Sequence, residues 1–277
     1  MRKARNSRRL QAGARLVTAL ESLAAVTRSA ALLLGLAPPR GALEDTVRRK
    51  YAHPAEVAAH RAEALAGPTP SQAAFLARWL APRSVVLDVG CAAGRTALGA
   101  ARRGHRVVGV DITAAMVREA VTLARELGLA ARFCVMDARA LAFPAGVFDA
   151  VLLLGSTLSY IPGRADRLRA LGEAWRVLRP GGRVLVETQS REATPQYRLF
   201  FAAAARAHRL LTALGRRPAW EVGDRLGVRV SAARSGSAVY FHMYAPAELA
   251  HDLAEAGFLP VAVETSRYLM HYVGLKR

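Results

Sequence analysis

The chain has 277 residues, of which 52% are hydrophobic and 22% charged, and its formal net charge is +19. This composition is typical of a globular protein with a sizeable core, and it excludes a wholly disordered chain. The chain has two cysteines, Cys91 and Cys134, which are too few for a disulfide framework or a four-cysteine zinc site. We therefore expect a reducing, cytoplasmic location and no metal.

The positive charge is concentrated in two segments. Residues 1–50 hold 11 Lys and Arg against 3 acids, and residues 190–245 hold 9 against 3. A partner attracted by charge, such as a nucleic acid, should therefore meet these segments. An arginine- and alanine-rich composition without any binding role explains the excess equally well.

Residues 1–70 are predicted to form a helical extension that caps the rest of the chain. Apolar side chains three and four positions apart predict a first helix over residues 16–34, which Pro38 and Pro39 end. The basic residues ahead of it are compatible with an organelle-targeting peptide, with a weak peripheral membrane contact of residues 1–36, or with a helix packed on the main domain. No apolar stretch near this end is long enough to span a bilayer. A second helix is predicted over residues 43–65, and Ser71 is expected to cap a third.

From residue 82 onward, short apolar runs alternate with helical patterns, which is typical of buried parallel strands in an α/β sheet. We predict strands over residues 85–89, 107–110, 131–135, 150–154, 183–188, 259–265 and 268–275. These strands belong to one domain that covers residues 71–277. The segment 190–245 interrupts the alternation with a helix over 196–214 and two strands over 227–231 and 238–243. We expect this segment to be an inserted cap over the substrate, before a helix that begins at Pro246.

The stretch from Val85 to Asp111 carries the clearest indication of a binding site. Gly90 and Gly94 lie in a tight turn between a predicted strand and a predicted helix, where the missing Cβ lets a ligand approach the backbone. Asp111 ends the next strand, about 20 residues further on, where a carboxylate can accept hydrogen bonds from both hydroxyls of a ribose. This spacing predicts an adenosine-containing cofactor.

The same turn argues against a dinucleotide. A dinucleotide site has G-x-G-x-x-G directly after the strand, with the pyrophosphate on the helix N-terminus. Here the order is D-V-G-C-A-A-G, with Asp88 ahead of the first glycine and no third glycine at the right position. Because a carboxylate repels a diphosphate and attracts a cationic amino group, we expect Asp88 to lie near a cofactor that carries an amino group.

Four stretches resemble, in order, the motifs of the class I S-adenosylmethionine-dependent methyltransferases: LDVGCAAGR at 87–95, VVGVDIT at 107–113, MDARALAFPAGVFDAVLLLGSTLSYI at 136–161 and EAWRVLRPGGRVLVE at 173–187. The resemblance covers about residues 71–277. It implies an α/β, Rossmann-like, doubly wound sheet of seven strands with the last strand antiparallel. It also implies S-adenosyl-L-methionine as cofactor and an in-line methyl transfer that needs positioning more than a fixed catalytic residue.

The resemblance further implies which residues contact the cofactor. Asp111 would hold the ribose, Asp137 would lie by the adenine amino group, and Ala92 stands where many members have glycine. The complete set is Asp88, Gly90, Cys91, Ala92, Gly94, Asp111, Ile112, Asp137, Ala138, Leu154 and Gly155.

The acceptor pocket is predicted from position alone. Tyr160 and Gln189 follow the fourth and fifth strands, where ligands bind in such sheets. His242 and Tyr244 lie in the inserted segment, and His242 is either a base that deprotonates the acceptor or a structural histidine. We also expect Tyr51 and Arg61 to fold over the cofactor.

Three functions are compatible with these patterns. The first is a methyltransferase that acts on a small-molecule acceptor beneath a cap. The second is an RNA methyltransferase, because residues 242–258 also resemble enzymes that modify wobble uridines of tRNA, and the arginines would then hold phosphates. The third is a non-catalytic partner subunit that binds the cofactor.

Overall fold

The computed structural model describes residues 39–216, 218–228, 238–266 and 268–277. The helix predicted over residues 16–34 and the membrane contact predicted for residues 1–36 lie outside these ranges. None of the helices within them is long and apolar enough to cross a membrane.

Nine strands are described, and seven of them form one sheet. The strands are β1 (Val85–Val89), β2 (Arg106–Asp111), β3 (Ala131–Val135), β4 (Phe148–Leu153), β5 (Leu178–Gln189), β6 (Asp224–Val228), β7 (Ala238–His242), β8 (Leu259–Thr265) and β9 (Leu269–Leu275). The order in the sheet is β3-β2-β1-β4-β5-β9-β8. Six of the seven strands run in one direction and β9 runs in the other, so the predicted seven-stranded, doubly wound sheet with an antiparallel last strand is confirmed.

The inserted segment contains a separate two-stranded antiparallel ribbon of β6 and β7. The first of these strands begins at Asp224 rather than at the predicted residue 227, because Asp224 pairs with His242 at the end of the ladder. In the main sheet, β5 begins five residues earlier than predicted, since Leu178 already pairs with Phe148 across an irregularity in the ladder.

Eight α-helices are described. They are α1 (Arg40–Ala52), α2 (Pro54–Ala66), α3 (Pro70–Trp79), α4 (Arg95–Ala101), α5 (Ala114–Glu126), α6 (Arg164–Val177), α7 (Pro195–Ala213) and α8 (Pro246–Glu255). A short 3₁₀ turn, Thr157–Tyr160, follows β4.

The single helix predicted over residues 43–65 is wrong, because the chain forms two helices that meet at His53. Pro54 has no N–H to continue a helix, and it pushes the residue before it into an extended conformation. His53 accordingly has φ −68° and ψ 131°, and Pro54 becomes the first residue of α2. The predicted cap of α3 is also wrong: Thr69 caps this helix, and its hydroxyl accepts the N–H of Gln72 at 3.2 Å.

The central strands are buried on both faces, which explains their continuous apolar runs. Val86, Leu87, Val151, Leu152, Val184 and Leu185 are all fully buried. Helices cover the two faces, so no position in the middle of these strands requires a polar side chain.

The register of the strands brings the ends of β1, β2 and β4 to one place. Val89 pairs with Val110, and Asp88 pairs with Leu152. The strand order reverses between β1 and β4, because β2 and β3 lie on one side of β1 while β4 and β5 lie on the other. A crevice at the carboxyl ends of the strands follows from this reversal, and it is the usual ligand site in such sheets.

Asp88 lies beneath the turn that follows β1 and is only 1% exposed. Its carboxylate accepts a hydrogen bond from the hydroxyl of Thr96, in the first turn of α4. Burial raises the pKa of Asp88 to about 7, against the opposing hydrogen bonds from Thr96 and from the backbone of Ala97. The carboxyl therefore ties the end of β1 to the start of α4.

This burial predicts a pH dependence of stability. An aspartate in the unfolded chain has a pKa near 3.9, so between about pH 4 and 7 the folded state holds a proton that the unfolded state has lost. The free energy of unfolding should then fall as the pH rises, by up to about 1.4 kcal/mol per pH unit. Asp88→Asn keeps an acceptor for Thr96 but does not titrate, so its stability should change less between pH 5 and 7, as measured by urea unfolding.

The exposed Asp45 on α1 provides the matched control, and Asp45→Asn should keep the wild-type pH slope. Identical slopes for wild type and Asp88→Asn would show that the folded protein holds Asp88 ionised throughout this range.

Candidate functional site

A cavity of about 520 Å³ opens at the carboxyl ends of β1, β2, β4 and β5. Its floor includes the turn after β1 and the residues that end the neighbouring strands. Its roof is formed by α1 and α2, which contribute Lys50, Tyr51 and His60 among other residues. The volume lies within the range of sites that bind small molecules and cofactors.

Nine of the eleven residues expected to contact a cofactor line this cavity. They are Gly90, Cys91, Ala92, Asp111, Ile112, Asp137, Ala138, Leu154 and Gly155. The other two, Asp88 and Gly94, are not among the lining residues. Asp88 is turned towards Thr96 instead of a ligand, and Gly94 caps α4 in the left-handed conformation with φ +91°. Both have a structural role in the turn.

Asp111 joins the two loops that border the cavity. Its Oδ2 accepts the N–H of Ala92 at 2.9 Å, and its Oδ1 accepts the N–H of Thr113 at 2.8 Å. Burial raises the pKa of Asp111 despite these two hydrogen bonds. Because a carboxylate has about four acceptor positions, it can also accept bonds from the two hydroxyls of a ribose.

Gly90 is required by the packing of the turn. It has φ +71°, and a Cβ built on it would lie 2.4 Å from Oγ1 of Thr157. The Thr157 hydroxyl donates to the carbonyl oxygens of Val89 and Leu154, at 3.1 and 2.9 Å. The glycine therefore allows the 3₁₀ turn to pack directly against the end of β1.

Arg139 connects the floor of the cavity to its roof. Its guanidinium donates to both oxygens of Asp137, to Glu44 on α1 at 2.6 Å and to Asp166 on α6 at 3.0 Å. Although partial burial opposes ionisation of Asp137, the bonds from Arg139 prevail and lower its pKa. The adenine contact expected of Asp137 would thus be made by a carboxylate already held in place.

Glu187 is a buried acid on β5 that faces the cavity. Its Oε1 accepts the side-chain N–H of Gln72 and the backbone N–H of Gly155, both at 3.0 Å, and its Oε2 lies 2.9 Å from Nε2 of His271. Burial alone would raise the pKa of Glu187, but the contact with His271 and the other bonds lower it. The carboxylate therefore holds β5, β9, α3 and the loop after β4 in one arrangement.

Aromatic and amide side chains also line the cavity. Tyr160 and Gln189, which were expected in an acceptor pocket, are among the lining residues, and Tyr51 lines the roof. Lys50 and Glu56, which are both buried, form an ion pair of 3.0 Å at the same place. Arg61, predicted to fold over a cofactor, instead pairs with Glu119 and Glu126 on the outer side of α5.

His242 and Tyr244 do not line the cavity, so their predicted place in the acceptor pocket is wrong. His242 is fully buried, with Nδ1 2.8 Å from Asp224 and Nε2 3.0 Å from Glu248. Burial opposes its charge, but the two carboxylates prevail and raise its pKa. With a carboxylate at each nitrogen, the protonated ring can donate two hydrogen bonds, one to Asp224 in the ribbon and one to Glu248 on α8, and so tie the ribbon to this helix. Tyr244 packs edge-on against this ring.

None of the described residues of the segment 190–245 lines the cavity, so this part of the segment does not cover it. The cover is α1 and α2, and the ribbon supports α1 from behind. Thr46 of α1 accepts the backbone N–H of Tyr240 at 3.1 Å. The ring of Tyr160 contacts those of Tyr51 and Phe241 edge-on, at 5.3 and 5.1 Å.

Several lining residues were not singled out from the sequence, among them Lys50, Glu56, His60, Gln72 and Arg139. All but Arg139 lie on α1, α2 and α3, whose direction depends on the break at Pro54. That proline was the available signal, because it shows where the chain turns back towards the sheet.

Comparison with known proteins finds methyltransferases. The family described as "Methyltransferase domain" matches residues 86–182, from β1 into β5. The demethylmenaquinone methyltransferase of Thermus thermophilus is 41% identical over 117 residues, which are 42% of this chain and 51% of that protein. The 2-methyl-6-phytyl-1,4-hydroquinone methyltransferase of Synechocystis is 35% identical over 117 residues, which are 40% of this chain and 35% of that protein. The chain thus spans about half the length, or less, of these curated relatives.

Solved structures share the fold. A SAM-dependent methyltransferase of Methanosarcina mazei superposes with a TM-score of 0.60 at 23% identity, covering 76% of this chain and 98% of that one. The 1,6-didemethyltoxoflavin-N1-methyltransferase of Burkholderia thailandensis, solved with S-adenosylhomocysteine, gives 0.57 at 21% identity and covers 87% and 91%. Residues 86–182 thus match a methyltransferase domain, and the sheet topology and the order of the four motifs make the fold similar to that of the class I S-adenosylmethionine-dependent methyltransferases.

Proposed function

We propose that this chain transfers a methyl group from S-adenosylmethionine to a small-molecule acceptor. The observation that carries the proposal is one continuous cavity, which runs from Asp111 to Tyr160 and Gln189 beneath a helical roof. Such a cavity can hold a nucleoside at one end and a small acceptor at the other. The curated relatives named above support this choice, because their names describe small quinone-type acceptors.

The lining residues fit the cofactor. Asp111 has acceptor positions left for the ribose, Asp137 and the backbone of Ala138 would border the adenine, and the turn that contains Gly90 lines the cavity where the amino-acid part would lie. The bound cofactor supplies a methyl group on a sulfonium, which is reactive without further activation.

The residues of this chain then have to position the acceptor and exclude water. The roof helices cover the reacting groups, and Tyr51 and Tyr160 offer flat apolar surfaces to an acceptor. Three hydrogen-bond contacts hold the side chain of Glu187 in place. Glu187 in turn would keep the loop that contains Gly155 beside the cofactor. In-line transfer would depend on this rigidity more than on proton transfer.

A reducing, cytoplasmic location belongs to the same proposal. Its support is that Cys91 and Cys134 are both free thiols.

The substrate class is tested by incubating the protein with methyl-labelled S-adenosylmethionine and, in parallel, a lipid extract, a water-soluble extract and total tRNA. We expect the label in a small-molecule fraction. Label confined to tRNA would make the chain an RNA methyltransferase, and cofactor binding without any labelled product would make it a non-catalytic subunit.

The cofactor site is tested with Asp111→Ala. Loss of hydrogen bonds to a charged group should weaken S-adenosylmethionine binding by about 1.5–3 kcal/mol, which calorimetric titration measures. Because Asp111 also holds two backbone N–H groups, thermal unfolding of the variant must be measured alongside. Unchanged affinity in a folded variant would disprove the assignment of Asp111.

The turn is tested with Gly90→Ala, for which the chain offers a matched control. Gly146 has φ +70°, almost the same as Gly90, but a Cβ built on it meets nothing within 4 Å. Gly146→Ala should therefore cost only the left-handed strain of about 1–2 kcal/mol and leave cofactor binding intact. Gly90→Ala must also displace Thr157, so it should lose more stability and bind the cofactor weakly. Equal effects of the two variants would mean that the contact with Thr157 is unimportant.

A further inference from the structure

The outer face of α7 exposes large apolar side chains. Leu199, Leu210 and Leu214, the last one residue beyond the helix, are 75, 62 and 68% exposed. Positions 199, 210 and 214 are separated by about three turns and about one turn, so the three leucines lie on one face. A surface helix of a globular protein normally has polar residues there.

The inner face of the same helix already supplies its packing. Phe201 and Ala204 are buried, and the ring of His208 packs edge-on against that of Trp220 at 5.0 Å. The outer leucines therefore add nothing to the core. Three exposed leucines on one face form an apolar surface of the kind that marks an interaction site.

Arginines flank this apolar surface. Arg198, Arg206, Arg209 and Arg216 are exposed, and residues 193–220 contain no Asp or Glu. None of the four forms an ion pair with an acid in the described part of the chain, whereas arginines elsewhere, such as Arg61, do so. The face of α7 thus combines leucines with uncompensated positive charge.

We propose that α7 is an interfacial helix that binds the surface of an anionic lipid bilayer. The leucines would enter the boundary between headgroups and acyl chains, and the arginines would contact the lipid phosphates. The helix has 19 residues and would lie flat on the surface. This binding does not depend on the proposed methyl transfer.

Charge complementarity favours a bilayer over the other partners that could cover the outer face of α7. A second copy of the chain would bring a like-charged face against α7. Residues 1–38 of the chain itself hold 7 Lys and Arg and 1 acid, so they would also be repelled. RNA would neutralise the arginines but leave the leucines in water, whereas an anionic bilayer accommodates both.

The chain connection also relates the outer face of α7 to the cavity. The helix is only six residues from Gln189, which lines the cavity at the end of β5. The chain therefore passes directly from the cavity lining to the helix that would lie on the bilayer.

The test is flotation of the full chain with phosphatidylcholine vesicles that contain or lack phosphatidylglycerol. We expect binding only to the anionic vesicles. The variant Leu199→Ser, Leu210→Ser, Leu214→Ser should lose roughly tenfold or more of this binding. The variant Arg198→Gln, Arg206→Gln, Arg209→Gln should lose about fivefold per arginine, and added salt should weaken the wild type in the same way.

Two matched control variants distinguish binding by the face of α7 from a general effect of charge or hydrophobicity on vesicle binding. The variant Arg118→Gln, Arg125→Gln, Arg132→Gln removes the same charge from α5 and β3, and Leu65→Ser, Val135→Ser, Val261→Ser removes exposed apolar side chains elsewhere. Both should bind vesicles like the wild type. Circular dichroism verifies the fold of each variant, and S-adenosylmethionine binding should persist in all of them, so a failure here is distinguishable from a failure of the proposed function.

Three results would overturn the proposal. One is vesicle binding that survives the leucine substitutions or falls equally in the controls. Another is absent vesicle binding together with tRNA binding that the arginine substitutions abolish, which would mark a nucleic-acid surface. The third is a dimer that the leucine substitutions dissociate, without any vesicle binding, which would mark a self-association face.

Discussion

The cavity depends on the carboxylate of Asp111, which holds two chain segments that would otherwise be independent. By accepting the N–H groups of Ala92 and Thr113, it joins the turn after β1 to the start of α5. The turn needs this support, because Ala92 has φ +47°, a conformation that costs a non-glycine residue about 1–2 kcal/mol. The side chain that would bind a ribose thus also shapes the loop on which the cofactor would lie.

The roof is held by charges rather than by apolar packing alone. Arg139 reaches Glu44 from the floor, and Lys50 pairs with Glu56 between the two roof helices. Buried ion pairs add little net stability, but breaking one by removal of a single partner is costly. They therefore restrict the roof to a defined position, which suits a site that must exclude water.

The strands of the main sheet could be predicted because buried parallel strands appear as continuous apolar runs, and most residues expected at the cofactor site do line the cavity at the strand ends. The residues expected in an acceptor pocket were harder to predict. His242 stands beside two tyrosines on a predicted strand, a pattern typical of a pocket wall, but tertiary contacts with Asp224 and Glu248 bury it. Lys50 and Glu56 meet across the bend at Pro54, and no sequence periodicity predicts how two helices fold back on each other. The sequence indicated that residues 1–70 and 190–245 together form a cap, whereas among the described residues of these two segments only those of 1–70, chiefly α1 and α2, line the cavity.

The contact between Thr46 and the backbone of Tyr240 couples α1 to the ribbon. If α1 swung away alone, the N–H of Tyr240 would lose its acceptor, and Tyr51 would leave Tyr160, which also touches Phe241. A buried donor left unpaired costs about 1–3 kcal/mol, so this contact holds α1 against the ribbon. Because His242 ties the ribbon to α8, the position of the roof depends on the inserted segment as well as on the main sheet.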